Sequence, residues 1–149
     1  MPDKVYSVNW TTVRKSKQLA GDKIASIVVS FITNARELNQ CLLGGFVVLP
    51  DAVHLVFAPK GNYTCESVVR YIRRASERLI NRELRRTGEA WDDSVNETAI
   101  KTKSALAEAL RKIEYLPCKR NIVKYPSDYK FSHIHDEYET DDLTVLLEQ

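Results

Sequence analysis

The sequence predicts an α+β fold, a ferredoxin-like split βαβ arrangement with an antiparallel sheet and helices on one face. Hydrophobic periodicity switches along the chain in the order strand, helix, strand, strand, helix, strand, with one further helix after it. The two middle strands meet at Pro50-Asp51, a connection short enough to require an antiparallel hairpin. The 149 residues, 44% of them apolar, suffice for one core, and no repeat or low-complexity linker marks a second domain.

Each element has its own warrant. Residues 5–13, "VYSVNWTTV", are rich in β-branched and aromatic types and read as a strand. In "GDKIASIVVSFITNARELNQ", Ile24, Ile27, Val28, Phe31, Ile32 and Ala35 recur at helical spacing, with Asp22 as the expected cap. "CLLGGFVVLP" and "AVHLVFAP" are the hairpin strands. The next helix has Thr64 to cap it, Glu66 in its first turn and Gly88 to end it, with Val68, Ile72, Ala75 and Leu79 on one face. "SVNETAIK" is a weaker strand. The last helix covers roughly 104–116, turns Leu106, Ala109, Leu110 and Ile113 inward, and is expected to stop at Pro117. Tyr129 and Phe131 are expected to pin the closing segment.

A formal net charge of +2 conceals an asymmetry. Asp136, Glu137, Glu139, Asp141, Asp142 and Glu148 all follow Lys130, the last basic residue. The first 135 residues therefore carry 22 basic against 14 acidic groups, a balance of +8. This divides the chain into a basic body, 1–135, and an acidic tail, 136–149. A polyanionic partner suits the body, with the tail as an electrostatic competitor; a solvated tail on a mildly basic protein is the alternative. Cys41, Cys65 and Cys118 form no CxxC pair, which argues against a disulfide framework or zinc site and fits a reducing cytoplasm. Apolar runs such as "IVVSFI" are too short to span a bilayer, and the amino terminus lacks a signal-peptide pattern.

Two features bear on chemistry. His54 sits in the apolar strand "AVHLVF" and reads as a core histidine, a metal ligand or the remnant of a metal site. Residues two apart share a strand face, and the position two before it is Ala52, which has no ligand atom; Asp51 has the opposite parity. One imidazole is a poor anchor for magnesium. The second feature is the arginine face of the helix after the hairpin. Arg70, Arg74, Arg78, Arg82 and Arg85 fall within an arc of roughly 120°. Guanidinium forks match phosphate oxygens, so the face predicts nucleic-acid binding, with Lys60 close by in the chain. Tyr63, Tyr125 and Tyr129 are candidates to stack on unpaired bases, whereas Trp91 fits the core better.

The stretches "VVLPDAVHLVF", "INRELRRTGEAW" and "LPCKRNIVKYPSDYKFS", in this order and spacing, resemble the REP-associated tyrosine transposases. These belong to the single-tyrosine HUH transposases of small insertion sequences. The resemblance runs from the first strand to about His135. It implies a ferredoxin-like domain that binds single-stranded or hairpin DNA. Two histidines would hold magnesium or manganese against the scissile phosphate, and a tyrosine would attack to form a covalent link to the DNA 5′ end.

Carried over residue by residue, His54 matches the second histidine, and Ala52 stands where the first is expected. Lys112, five residues before Pro117, stands at the tyrosine position and cannot form a phosphotyrosine. Tyr115, about 4.5 Å further along the helix axis, is the local stand-in nucleophile. His133 and His135 in "FSHIHDE" have the spacing missing from the hairpin, and they could rebuild a metal site with His54 if that segment folds back. The expectation is a transposase-derived protein that binds hairpin or single-stranded DNA, with cleavage lost and no cofactor. Arg70, Arg74, Arg78, Arg82 and Arg85 are its expected contacts, with Lys60 and Lys112 at the groove. Two alternatives stay open: an active transposase using Tyr115 and magnesium or manganese, and a protein-interaction module. A homodimer is compatible with each of the three.

Overall fold

Alternation in the first strand already separates two environments. The computed structural model of the protein describes residues 4–147. In β1 (Val5–Thr12), Val8 and Trp10 point to one face, and Ser7, Asn9 and Thr11 point to the other. In α1 (Asp22–Glu37) the apolar stripe Ile24, Val28, Ile32 and Ala35 is buried. Gly21 occupies the N-cap and Asp22 is the first helical residue, where its charge still favours the helix terminus. The hairpin joins β2 (Cys41–Leu49) to β3 (Ala52–Pro59).

α2 (Cys65–Leu84) starts with a capping box. Thr64 Oγ1 accepts from the Ser67 N–H at 3.0 Å, and Ser67 Oγ accepts from the Thr64 N–H at 2.9 Å. The helix ends at Arg85, which takes the left-handed conformation (φ 52°) before Gly88 is reached. β4 (Trp91–Ile100) begins ahead of the "SVNETAIK" segment because Trp91 is anchored. Its ring meets Trp10 edge-on at 6.0 Å, and its Nε1–H donates to the Arg73 carbonyl at 3.0 Å.

α3 (Lys103–Lys119) runs through Pro117 instead of stopping there. Proline removes one hydrogen bond in the last turn, but its ring is buried, and later amides still close the helix. The Arg120 N–H donates to Leu116 O at 3.0 Å and the Ile122 N–H to Pro117 O at 2.9 Å.

The sheet order is β2-β3-β1-β4 with every neighbour antiparallel, which is the ferredoxin-like topology. α1 and α2 pack together over the Val8, Trp10, Val53, Leu55 and Phe57 side. α3 lies beyond the split βαβ unit and packs on β2 and β3 from the opposite side. Gly45 permits that approach: a Cβ there would stand 2.8 Å from Leu110 Cδ2 and 2.7 Å from His133 Cε1. The β1–β4 half of this face stays open, with Asn9 half-buried and Asn96 and Thr98 exposed.

Residues 129–147 wrap the outer edge of β2. The Val48 N–H donates to Phe131 O at 2.9 Å, Ser132 bridges to Val47, and the His133 N–H donates to Phe46 O at 3.1 Å. The Tyr129 hydroxyl donates to Val48 O at 2.5 Å, so Tyr129 and Phe131 pin the segment as expected. Arg36 of α1 holds Asp141 (Nε···Oδ2 3.0 Å) and Glu139 (3.0 Å), and Leu143 is buried against the Gly44 backbone. Glu139 and Asp141 are therefore engaged with α1 rather than competing for the arginines of α2. Of the "LTVLL" end, Leu143 covers the body; Glu148 lies outside the described residues.

Candidate functional site

Strand register lays one polar row across the open sheet face. Asn9 is paired with His54 on one side and Asn96 on the other, and Val47 lies opposite His54 on β2. The amide of Asn96 donates to Asn9 Oδ1 at 3.0 Å. Ser7 and Thr98 form the adjacent polar pair. α3 rises beside this floor as a wall. At about 100° per residue, Lys112 lies about 120° around the helix from Leu106, which packs on the sheet. At the end of the floor Arg120 grips Asp51 with both nitrogens, Nη1···Oδ1 at 2.7 Å and Nη2···Oδ2 at 2.8 Å. This pairing holds the Asp51 carboxyl below its ordinary value. Asn9, Asn96 and Arg120 were not anticipated. The signal for Asn9 was the alternation of Ser7, Asn9 and Thr11 with apolar residues; Arg120 had no local signal.

His54 is held neutral, the form that can ligate, so the other donors of the row decide whether a cation fits. Burial first, then the charges of Lys112 and Arg120, push its imidazolium down to about 4, with Asp51 opposing weakly. A two-histidine cation seat needs a second donor on this row, and Ala52 supplies none. Asp51 is taken by Arg120, and Asn9 and Asn96 bond each other. His133 sits at the β2 edge: its Nδ1 accepts from the Phe46 N–H at 2.9 Å, which leaves Nε2–H to face Glu114 at 3.0 Å. His135 Nε2 lies 2.6 Å from Tyr129 O. The three histidines are not gathered, and among the described residues no group of three His, Cys, Asp or Glu side chains is arranged to hold an ion. These residues do not fit a divalent metal.

The depressed His54 value has a pH consequence. A neutral imidazole in the fold against an unfolded value near 6.5 stabilises the protein fully above about pH 6.5, and the contribution is lost as pH falls to about 4. The full loss is about 3 kcal/mol. His54→Asn is expected to show a shallower decline in urea midpoint between pH 7 and pH 4 than the parent. Parallel declines would contradict the half-buried, cation-flanked imidazole.

The other anticipated residues separate. Tyr115 is 54% exposed and lies about 180° around α3 from Leu106, pointing away from the sheet and from His54. The arginine face of α2 lies on the far side of the sheet from His54. Arg70 pairs with Glu66, and Arg74 lines a groove that also holds Glu77, Glu89, Asp93 and Glu97. Arg78, Arg82 and Arg85 make no ion pair among the described residues. Lys60 is at the opposite end of β3 from Asp51, beside Asn39 (3.4 Å), so it shares no groove with Lys112. Trp91 is core, as its bulk suggested. The cysteines are unpaired, and no helix among the described residues is long and apolar enough to cross a membrane.

No curated protein sequence matches the chain. Among solved structures it is similar to a REP-associated tyrosine transposase bound to a REP hairpin, with a TM-score of 0.73 at 19% identity over 97% of this chain and 89% of that one. It is also similar to an inferred transposase from Deinococcus radiodurans R1, with a TM-score of 0.56 at 20% identity over 76% of this chain and 91% of that one. These likenesses agree with the ferredoxin-like topology described above. The sequence profile of the IS200-like transposases matches residues 3–113, spanning β1 to the middle of α3, and the chain belongs to that family.

Proposed function

We propose that this IS200-like protein is of the REP-associated kind, binds hairpin or single-stranded DNA, and no longer cuts or joins it. The open polar floor of Ser7, Asn9, His54, Asn96 and Thr98 takes the unpaired strand, and Lys112 on the α3 wall meets its phosphates. Tyr125, with Lys124 Nζ 5.4 Å from its ring centroid, offers a stacking surface near the end of α3. One observation carries the loss of chemistry: beside His54, Ala52 brings no ligand and Asp51 is captured by Arg120. Phosphoryl transfer needs a metal or its equivalent and an aligned nucleophile, and Lys112 supplies a charge but no phenol. The fold likeness to a transposase solved with a REP hairpin supports the choice of DNA. A reducing cytoplasm suits the DNA partner and the three free thiols. β4 presents the open sheet edge, and Asp92, Asp93 and Glu97 along it oppose pairing with a second copy through that edge.

The test is direct. Labelled hairpin DNA, incubated with the protein and manganese and then denatured, is expected to carry no covalent adduct. Under native conditions the same mixture forms a complex that EDTA does not dissolve. An adduct that disappears in Tyr115→Phe would replace this reading with the active-transposase one.

A further inference from the structure

The connection from β1 to α1 is built in an unusual way. Arg14 and Lys15, consecutive and neither of them glycine nor asparagine, both take the left-handed conformation, at φ 56° and φ 51°. Left-handed backbone is disfavoured for residues with a Cβ and persists where the surroundings impose it. Here they do. The Val13 N–H donates to Ala90 O at 3.0 Å, and the Leu19 N–H donates to Pro50 O at 2.9 Å. The Thr12 hydroxyl donates to Ser16 O at 2.6 Å, and the Leu19 side chain is buried. Gln18 also accepts from Arg86. The loop is thus fastened to the hairpin turn, to the start of β4 and to the end of α2.

What this frame displays is charge. Arg14, Lys15 and Lys17 are all exposed, and none has an ion-pair or hydrogen-bond partner for its side chain among the described residues. Lys17 lies near enough to Asp51 for its charge to act there, so the loop borders the same end of the sheet as Arg120. Arg82 and Arg85, at the end of α2, are unpaired at this end too. Basic residues in a last helical turn suit the helix dipole, which accounts for those two without a ligand. It does not account for the loop. Cations held apart in a rigid frame, with no aromatic among them, suit phosphate oxygens more than bases.

We infer that the β1–α1 loop is a second DNA contact, in which Arg14, Lys15 and Lys17 grip the phosphate backbone of a duplex stem at the Asp51 end of the sheet. This rests on the DNA-binding reading above and adds to it a division of labour. The open sheet face holds unpaired nucleotides, and the loop holds the stem.

Glycine makes a clean test, because it removes the charge while relieving the left-handed backbone. The variant Arg14→Gly/Lys15→Gly/Lys17→Ala is expected to melt at or near the parent temperature. Its affinity for a DNA hairpin should fall at least about tenfold near 0.1 M salt, and the log–log salt dependence should become shallower by about 2 to 3. Affinity for an unpaired oligonucleotide of the same length should change much less. An unchanged hairpin affinity and salt slope in the variant would overturn the loop assignment and leave the DNA reading intact. Failure of the parent protein to bind hairpin DNA at low salt would overturn both.

Discussion

Raising salt from about 50 mM to about 200 mM is expected to weaken hairpin binding about a hundredfold. Each neutralised phosphate contributes about 0.9 to the log–log slope, so four contacts over a fourfold rise in salt give that factor. Lys112, Arg14, Lys15 and Lys17, the cations placed at the floor and the loop, have no acidic partners among the described residues and make up the four. Arg36, Lys23 and Lys130 are occupied by Glu139 and Asp141, by Glu83, and by Asp22 respectively, and add little. The same titration with EDTA present should overlay, since the charge is carried by side chains. Fluorescence anisotropy of a labelled hairpin reads both curves. A flat salt response would favour the protein-interaction alternative, in which the basic surface meets an acidic protein through a packed interface.

Phe46→Ala is expected to lower the unfolding free energy by about 3–5 kcal/mol, the usual range for emptying a buried phenylalanine site. The ring is fully buried and meets Tyr138 edge-on at 5.2 Å and the His133 ring at 6.2 Å. It therefore joins β2 to the wrapping segment as well as filling the core. A domain of this size has roughly 5–15 kcal/mol in total, and about 2–4 °C of melting temperature goes with each kcal/mol. A fall of roughly 10 °C follows. Phe46→Leu keeps most of the volume and should lose much less. If Phe46→Ala melted within a degree or two of the parent, the wrapping segment would not be part of the cooperative unit.

Much of the fold was legible because its signals are local. Period-two and helical patterns identified β1, α1, the hairpin and α2, and Thr64 marked a real cap. Pro117 misled because a proline in a final turn forfeits only one backbone bond, which a buried ring offsets. The candidate site was legible in part. Spacing and resemblance brought His54, Ala52 and Lys112 forward as one retained and two replaced positions, and the proposed loss of cutting rests on that reading. Arg120 could not, since nothing in "CKRNI" signals that its guanidinium reaches Asp51, sixty-nine positions away.

The sequence by itself determined the order of elements, the antiparallel class of the sheet, and which side chains share a face of their own strand or helix. Only the tertiary structure decided that the arginines of α2 and the His54 row lie on opposite sides of the sheet. It also decided that acidic residues of the tail are spent on Arg36, and that His133 and His135, spaced like ligands, form no three-ligand group with His54 among the described residues. The physical reason is that periodicity fixes directions within an element. The side of the sheet on which that element packs is set by crossovers and burial among residues far apart in the chain.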